Sequence, residues 1–422
     1  MPDAGAIDKT PLDSAGAGQI DSVFTILPHS YQLTMVVNPE NAGATEPPIG
    51  QHSYAEGTAV TVIAIPAAGY VFLDWTGDVA DPSNDTTTVT LNEDKTVTAN
   101  FAIIPALITD LRASVQGQQI LLEWSATVGA TSYHVYRDTT HDFIPDREHG
   151  SNRLATGVVD QDPETEGVQW TDTGNGAQIV GDVKHNYFYR VTAVSSVESE
   201  ASNLAGEFDY NLITTIKTDV NEIAVIMNTK KGRHPILTAE DLAQAIPYCT
   251  DVYYWDAVGQ GIVGHVKGLP FNNFSIVPGY PYMINVTKDT VWTVAGSYAD
   301  TSFHLITTDR TDINHIAVPL SKSHLTTAEQ LGQDIPNCTD VYYWNATDQG
   351  LVGHVVGLPF ANFTVEAGHS YYVNVTAETI WPAPAESSGV LSIAPASGTP
   401  SLALNKGAQV ERVAIPHTVY SL

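Results

Sequence analysis

The chain has two cysteines in 422 residues, so no disulfide framework supports it. Secretion stays open, because large β domains build adequate cores without disulfides. Basic residues are as scarce: 18 Lys and Arg stand against 47 Asp and Glu, a formal charge of -29. Nucleic acid and anionic lipid are bound through basic patches, so both are excluded as partners. No run of eighteen apolar residues is present, which excludes a membrane-inserted helix. Catalytic signatures are missing too: there is no His-Glu-x-x-His, Gly-x-Ser-x-Gly, Walker loop or helix-opening Gly-x-Gly-x-x-Gly. The 14 histidines have no Cys or His partner at zinc-ligand spacing. The first residues lack a basic segment followed by an apolar one, so they are not a signal peptide. Either the chain stays inside the cell or its export signal has been removed, and the module content favours the second.

What is present is a globular composition, 43% hydrophobic, over a length that implies two to five domains. The acidity suits a soluble extracellular or salt-tolerant protein, with a solvated surface favoured over a dedicated cation role. Residues 1–30 are rich in Ala, Gly, Asp and Pro and read as a linker or N-terminal arm. One apolar island, residues 20–28 with Val23, Phe24 and Ile26, reads as a lone strand that must pair on its own domain or on a neighbour.

Residues 31–104 alternate Val, Thr and Ile between turn residues, which predicts short strands. Gly57, Thr58, Pro66, Gly69, Tyr70, Phe72, Trp75, Gly77 and Asp78, then Asp94, Lys95, Val97, Ala99, Asn100 and Phe101, form a layout that resembles the internalin-type B repeat. That resemblance implies a small non-catalytic β domain of exported bacterial proteins. Residues 105–209 carry Trp124, Tyr133, Tyr136, Tyr187, Arg190 and Val191 in a pattern that resembles a fibronectin type III domain. The resemblance implies Trp124 in the sandwich core and Tyr187 at the tyrosine corner. Residues 139–166 are longer and more acidic than the usual connection, and no Arg-Gly-Asp is present.

From residue 210 the chain repeats itself. Copy one spans 210–299 and copy two 300–386, and between 238–292 and 327–381 about 34 of 55 aligned positions are identical without a gap. Each copy reads as a strand, a short helix opened by Thr238 or Thr327 as cap, a hairpin, a loop and a final strand pair. Cys249 and Cys338 sit at equivalent positions, which tandem modules rarely bring together, so both read as unpaired buried residues. Residues 387–422 read as a linker plus the first strand of a partial third copy, in which Val410, Val413 and Ile415 fall on Ile313, Ile316 and Val318. Truncation of a longer chain is the favoured reading. The other is a strand that completes a module in a second subunit.

No cofactor is expected. A structural Ca²⁺ has one candidate run, Asp160, Asp162, Glu164 and Glu166, but Pro163 interrupts it and an exposed acidic loop is favoured. In the duplicated hairpin, residues 249–266 and 338–355, Trp255 opposite Ile262 places Tyr253, Trp255, Ile262, Gly264 and Val266 on one face. The polar residues gather on the other, so Trp255 and Trp344 are expected inside, with Gly264 and Gly353 leaving room for the tyrosine opposite. Tyr254 with His265, and Tyr343 with His354, are the expected exposed binding candidates. The fold class is therefore mainly β, a tandem string made of a B-repeat-like domain, a fibronectin type III sandwich, two small α+β repeats and a partial third repeat strand. The expected function is structural or adhesive and non-catalytic, outside the cell or at a bacterial surface, with the chain itself, neighbouring surface proteins or glycans as partners. The alternative is a carbohydrate-binding accessory region of a secreted polysaccharide-degrading enzyme.

Overall fold

Alternating Val, Thr and Ile produce paired sheets from the first described residues. The computed structural model describes residues 29–160, 167–215, 219–230, 232, 234–298, 300–307 and 313–383. Among them, Ser30–Asn38 lies between Gly50–Ala55 and Lys95–Ile103, with Tyr70–Thr76 beyond. A second sheet orders Gly43–Glu46, Thr58–Pro66 and Thr86–Leu91. Their inward residues, among them Leu33, Met35, Val62, Trp75, Val89 and Val97, make one closed core.

The next domain is a two-sheet sandwich whose core holds Trp124, fully buried and edge-on to Tyr133. The tyrosine expectation needs correction. Tyr136 and Tyr189 are the fully buried tyrosines of this domain, and the Tyr189 hydroxyl donates to Asp172 at 2.8 Å, while Tyr187 is half-buried under the Arg137 guanidinium.

The sandwich does not end as a separate bead. Its last strand, Ala205–Leu212, pairs over eight residues with Thr290–Tyr298, the final strand of repeat one, so one six-stranded sheet serves both modules. Both faces are consequently covered from Ala205 to Tyr210. Phe208, Tyr210 and Leu212 enter the core of the repeats, and Ala205 enters the sandwich core. Glu207 and Asp209 share the sandwich-side face and are buried with it. Glu207 accepts from the Tyr187 amide and Asp209 from the Gly181 amide, which leaves Glu207 Oε2 and Asp209 Oδ2 buried without a partner. Burial, followed by the charge of Asp209, pushes the Glu207 carboxyl up to about 9. A protonated Glu207 then supplies the hydrogen that the acid pair lacks.

Each repeat builds a four-stranded antiparallel sheet covered by a seven-residue helix. Repeat one orders Val220–Ala224, Pro281–Val286, Cys249–Asp256 and Gly261–Val266, with the helix Ala239–Ala245. Repeat two orders Ile313–Ala317, Ser370–Val375, Cys338–Asn345 and Gly350–Val355, with the helix Ala328–Asp334. The expected caps are present: Thr238 accepts from the Asp241 amide and Thr327 from the Gln330 amide. Both cysteines are free thiols, each pushed up to about 12 by burial. Among the described residues no helix is long and apolar enough to cross a membrane.

Candidate functional site

The hairpin forms in the expected register. Trp255 faces Ile262, Tyr253 faces Gly264, and the copy repeats both pairings. A Cβ on Gly264 would lie 2.4 Å from the Tyr253 ring, and the same holds for Gly353 against Tyr342, so the glycines do make room. The faces are the reverse of those expected. Val252, Tyr254, Val263 and His265 point inward, whereas Ile262 is 60% exposed. His265 and His354 are each only 1% exposed, and Tyr254 and Tyr343 pack edge-on to Phe274 and Phe363 at the margin of the core. Neither imidazole is a surface group. Each is brought inside by a carboxylate on the covering helix, a partner that strand alternation does not reveal.

That partner is Glu240 in repeat one and Glu329 in repeat two. Glu240 Oε2 accepts from His265 Nε2 and from the Gly268 amide, each at 2.8 Å, while His265 Nδ1 lies 2.8 Å from the Phe271 carbonyl. Glu329, His354, Gly357 and Phe360 repeat the arrangement at 2.7, 2.9 and 3.0 Å. The Gly268 amide, then His265 and Gln244, hold the Glu240 carboxyl down to about 2. Burial opposes charging of His354, but the bonds to Glu329 and to the Phe360 carbonyl outweigh it and raise its pKa. These struts fix the loops after each hairpin. Leu269 and Phe271 stand 48% and 70% exposed on one loop, and Leu358 and Phe360 stand 44% and 66% exposed on the other.

The opposite hairpin face joins the repeats to each other. Trp255 Nε1 donates to the Ile313 carbonyl at 2.8 Å, and Gln260 both donates to that carbonyl and accepts from the Ile313 amide. Trp344 and Gln349 do the same to Val220, the equivalent residue of repeat one. The contact is reciprocal, as in an isologous dimer interface, although both halves belong to one chain. Gln260 and Gln349 hold φ of 47° and 50°, a left-handed conformation that costs a non-glycine residue about 1 kcal/mol. The bonds across the joint offset it.

One corner of this joint is polar. Glu222 of repeat one, nearly buried, accepts from Ser370 Oγ at 2.8 Å and from the Tyr372 hydroxyl. His315 Nε2 lies 3.4 Å from Glu222, and the His315 ring stacks on Tyr372 with centroids 4.2 Å apart. Beside Glu222 opens a cleft of about 150 Å³, lined by Asn211, Asn221, Tyr343, Trp344, Ala346, Thr364, His369, Ser370 and Tyr371. The sequence reading missed Glu222, Ser370 and His315, because they meet only through the joint.

Comparison with known proteins bears first on the N-terminal module. Residues 31–105 match the model of the divergent InlB B-repeat domain. No curated protein matches the chain. Among solved structures, an Fn3-like protein from Clostridium thermocellum is 31% identical, with 24% of this chain and 88% of that one covered and a TM-score of 0.17. A DUF3823 family protein from Bacteroides ovatus is 14% identical over 41% of this chain and 94% of its own, with a TM-score of 0.17. The chicken CNTN1 FN1–FN3 domains are 11% identical over 58% and 92%, with a TM-score of 0.19. The chain is a multidomain, mainly β protein that contains a B-repeat-like module.

Several expected sites are not brought together by the described residues. Asp160 is described and half-buried, but Asp162, Glu164 and Glu166 lie outside the described residues, as do Val23, Phe24, Ile26, Val410, Val413 and Ile415. Among the described residues no group of three His, Cys, Asp or Glu is placed to hold a metal ion.

Proposed function

We propose that the chain is a non-catalytic structural or adhesive protein of the bacterial exterior, and that its paired loop tips make the adhesive contact. The observation that carries this reading is the exposure of Phe271 and Phe360 on loops held in place by His–Glu struts whose imidazoles are buried. Large aromatic side chains held in solvent on ordered backbone bury apolar area on contact without a further ordering cost, which is the character of interface anchors. Their duplication presents two such anchors per chain, and two linked contacts bind more strongly than one. The B-repeat-like module supports placement among exported bacterial proteins.

Beads coated with the full chain test this reading. Wild-type beads are expected to cluster in suspension, and beads carrying Phe271→Ser with Phe360→Ser to stay dispersed at an unchanged melting temperature. Clustering that survives the double substitution rejects the adhesive role of the tips. Of the residues first expected to carry the carbohydrate-binding alternative, His265 and His354 are interior, Tyr254 is half-buried at the core margin, and Tyr343 lines the cleft beside Glu222.

A further inference from the structure

We propose that the cleft beside Glu222 binds a neutral hydroxylated ligand the size of one sugar ring. The reading is independent of the adhesive tips. The first support is where the two copies diverge. They agree at about 34 of 55 positions, yet eight of the ten residues in 275–284 differ from their partners in 364–373, the stretch that supplies Thr364, His369, Ser370 and Tyr371 to the cleft. Ser370 and Tyr372 correspond to Pro281 and Met283, and Glu222 corresponds to His315. Pro281 and Met283 complete repeat one with buried apolar side chains, so the fold does not require a hydroxyl at either place. Burying a carboxylate with its donors is costly, and replacing such a network with apolar residues is often neutral or stabilising. A role in packing therefore does not account for it.

The second support is chemical. The cleft has room for about five water molecules at about 30 Å³ each. No Lys or Arg lines it, so an anion is disfavoured. Asn211 and Thr364 offer both donors and acceptors beside the Glu222 acceptor, and both are exposed at the mouth. A hydroxyl group donates and accepts, and so matches such a mixed lining, whereas an ammonium group only donates. The Trp344 indole N–H is committed to the Val220 carbonyl, which leaves its ring for stacking against an apolar ring face.

Saturation-transfer NMR on the full chain tests the assignment, with glucose, galactose, mannose and N-acetylglucosamine as probes and ethylamine as the cationic arm. At least one sugar is expected to give saturable transfer. Thr364→Phe, which fills the mouth from an exposed position, and the isosteric Glu222→Gln are each expected to weaken binding at least about tenfold. Phe271→Ser with Phe360→Ser leaves it unchanged. Should Glu222→Gln fail to fold, Thr364→Phe still decides the matter. Absence of saturable transfer from all four sugars, saturation by ethylamine alone, or sugar binding that survives Thr364→Phe would each overturn the proposal.

Discussion

Repeat one and repeat two grip each other with the same residues, yet the two corners of their joint have different chemistry. Pro281 and Met283 of repeat one take the places that Ser370 and Tyr372 hold in repeat two, and His315, the counterpart of Glu222, lies beside Glu222 and Tyr372 in the same polar set. The Trp–Gln grip occurs on both sides with hydrogen bonds within 0.1 Å of each other. The difference separates what a paired fold requires from what it leaves free. Both copies keep the latch because it is reciprocal, and a change in either half breaks one side of the joint. The corner beside Glu222 was free to acquire a polar set that its counterpart does without.

The largest effect expected is loss of the latch. Trp255→Ala and Trp344→Ala should each cost about 3 kcal/mol in equilibrium denaturation, at the lower end for large aromatic truncations because both rings are only partly buried. The reciprocal geometry predicts equal costs, and a double variant short of their sum, because the second truncation acts on a joint already opened. Costs that differ by more than about 1 kcal/mol would show that one half of the joint carries the other.

The struts come next. Glu240→Ala and Glu329→Ala each leave a buried imidazole nitrogen and a loop amide without an acceptor, and each should lower the denaturation midpoint by less than a latch truncation does. Their pH dependence can be read separately. The pKa of His354 is raised in the fold, so its contribution is complete below the unfolded value of about 6.5 and fades as pH rises through the folded value. The Glu240 carboxyl is depressed to about 2, so its contribution is present above about 4.5 and disappears as pH falls toward 2. Amide exchange at Gly268 and Gly357 against pH measures both. If Gly357 stayed equally protected through the alkaline range, the strut in repeat two would not depend on a charged imidazole.

A pH-dependent effect belongs to the seam between the sandwich and repeat one. Glu207 rises to about 9 in the fold against about 4.5 in the unfolded chain, so folding takes up a proton between those values. Stability should therefore fall as pH rises through this window, by at most about 1.4 kcal/mol per pH unit. Glu207→Gln keeps a hydrogen-bond donor toward Asp209 without a titrating proton, and should flatten the slope. An unchanged slope would place the proton elsewhere.

Much of this architecture is legible in the chain, and what is not has a common cause. The duplication, the capping threonines and the pairing of Trp255 with Ile262 follow from repeat spacing, local hydrogen bonding and turn glycines, all of which act over a few residues. The inner face of the hairpin does not. A His residue among Val and Tyr looks like a polar outer position until Glu240, 25 residues earlier and on a helix, supplies its partner. Glu207 and Asp209, which alternate with Phe208 and Tyr210, are a parallel case. From Ala205 to Tyr210 the strand is covered on both faces because repeat one extends the sandwich sheet. The cleft is the extreme case. Glu222 lies 148 residues from Ser370 and 150 from Tyr372, and nothing local to either segment announces the other.

The smallest stability effect expected is also the one that most directly tests the inequality of the corners. Ser370→Pro or Tyr372→Met alone removes a donor from a nearly buried carboxylate and should cost about 1 to 3 kcal/mol. Glu222→Leu, His315→Leu, Ser370→Pro and Tyr372→Met together replace the whole network with apolar groups, and the quadruple variant should lie within about 1 kcal/mol of the wild type. A chain altered at four sites would then be more stable than one altered at either of two, while losing any ligand that needs the Glu222 carboxylate. Guanidinium titration of the three variants decides the point. A quadruple variant at least as unstable as the sum of the single ones would mean that the polar corner is part of what holds the repeats together, and that the contrast with its apolar counterpart is one of packing.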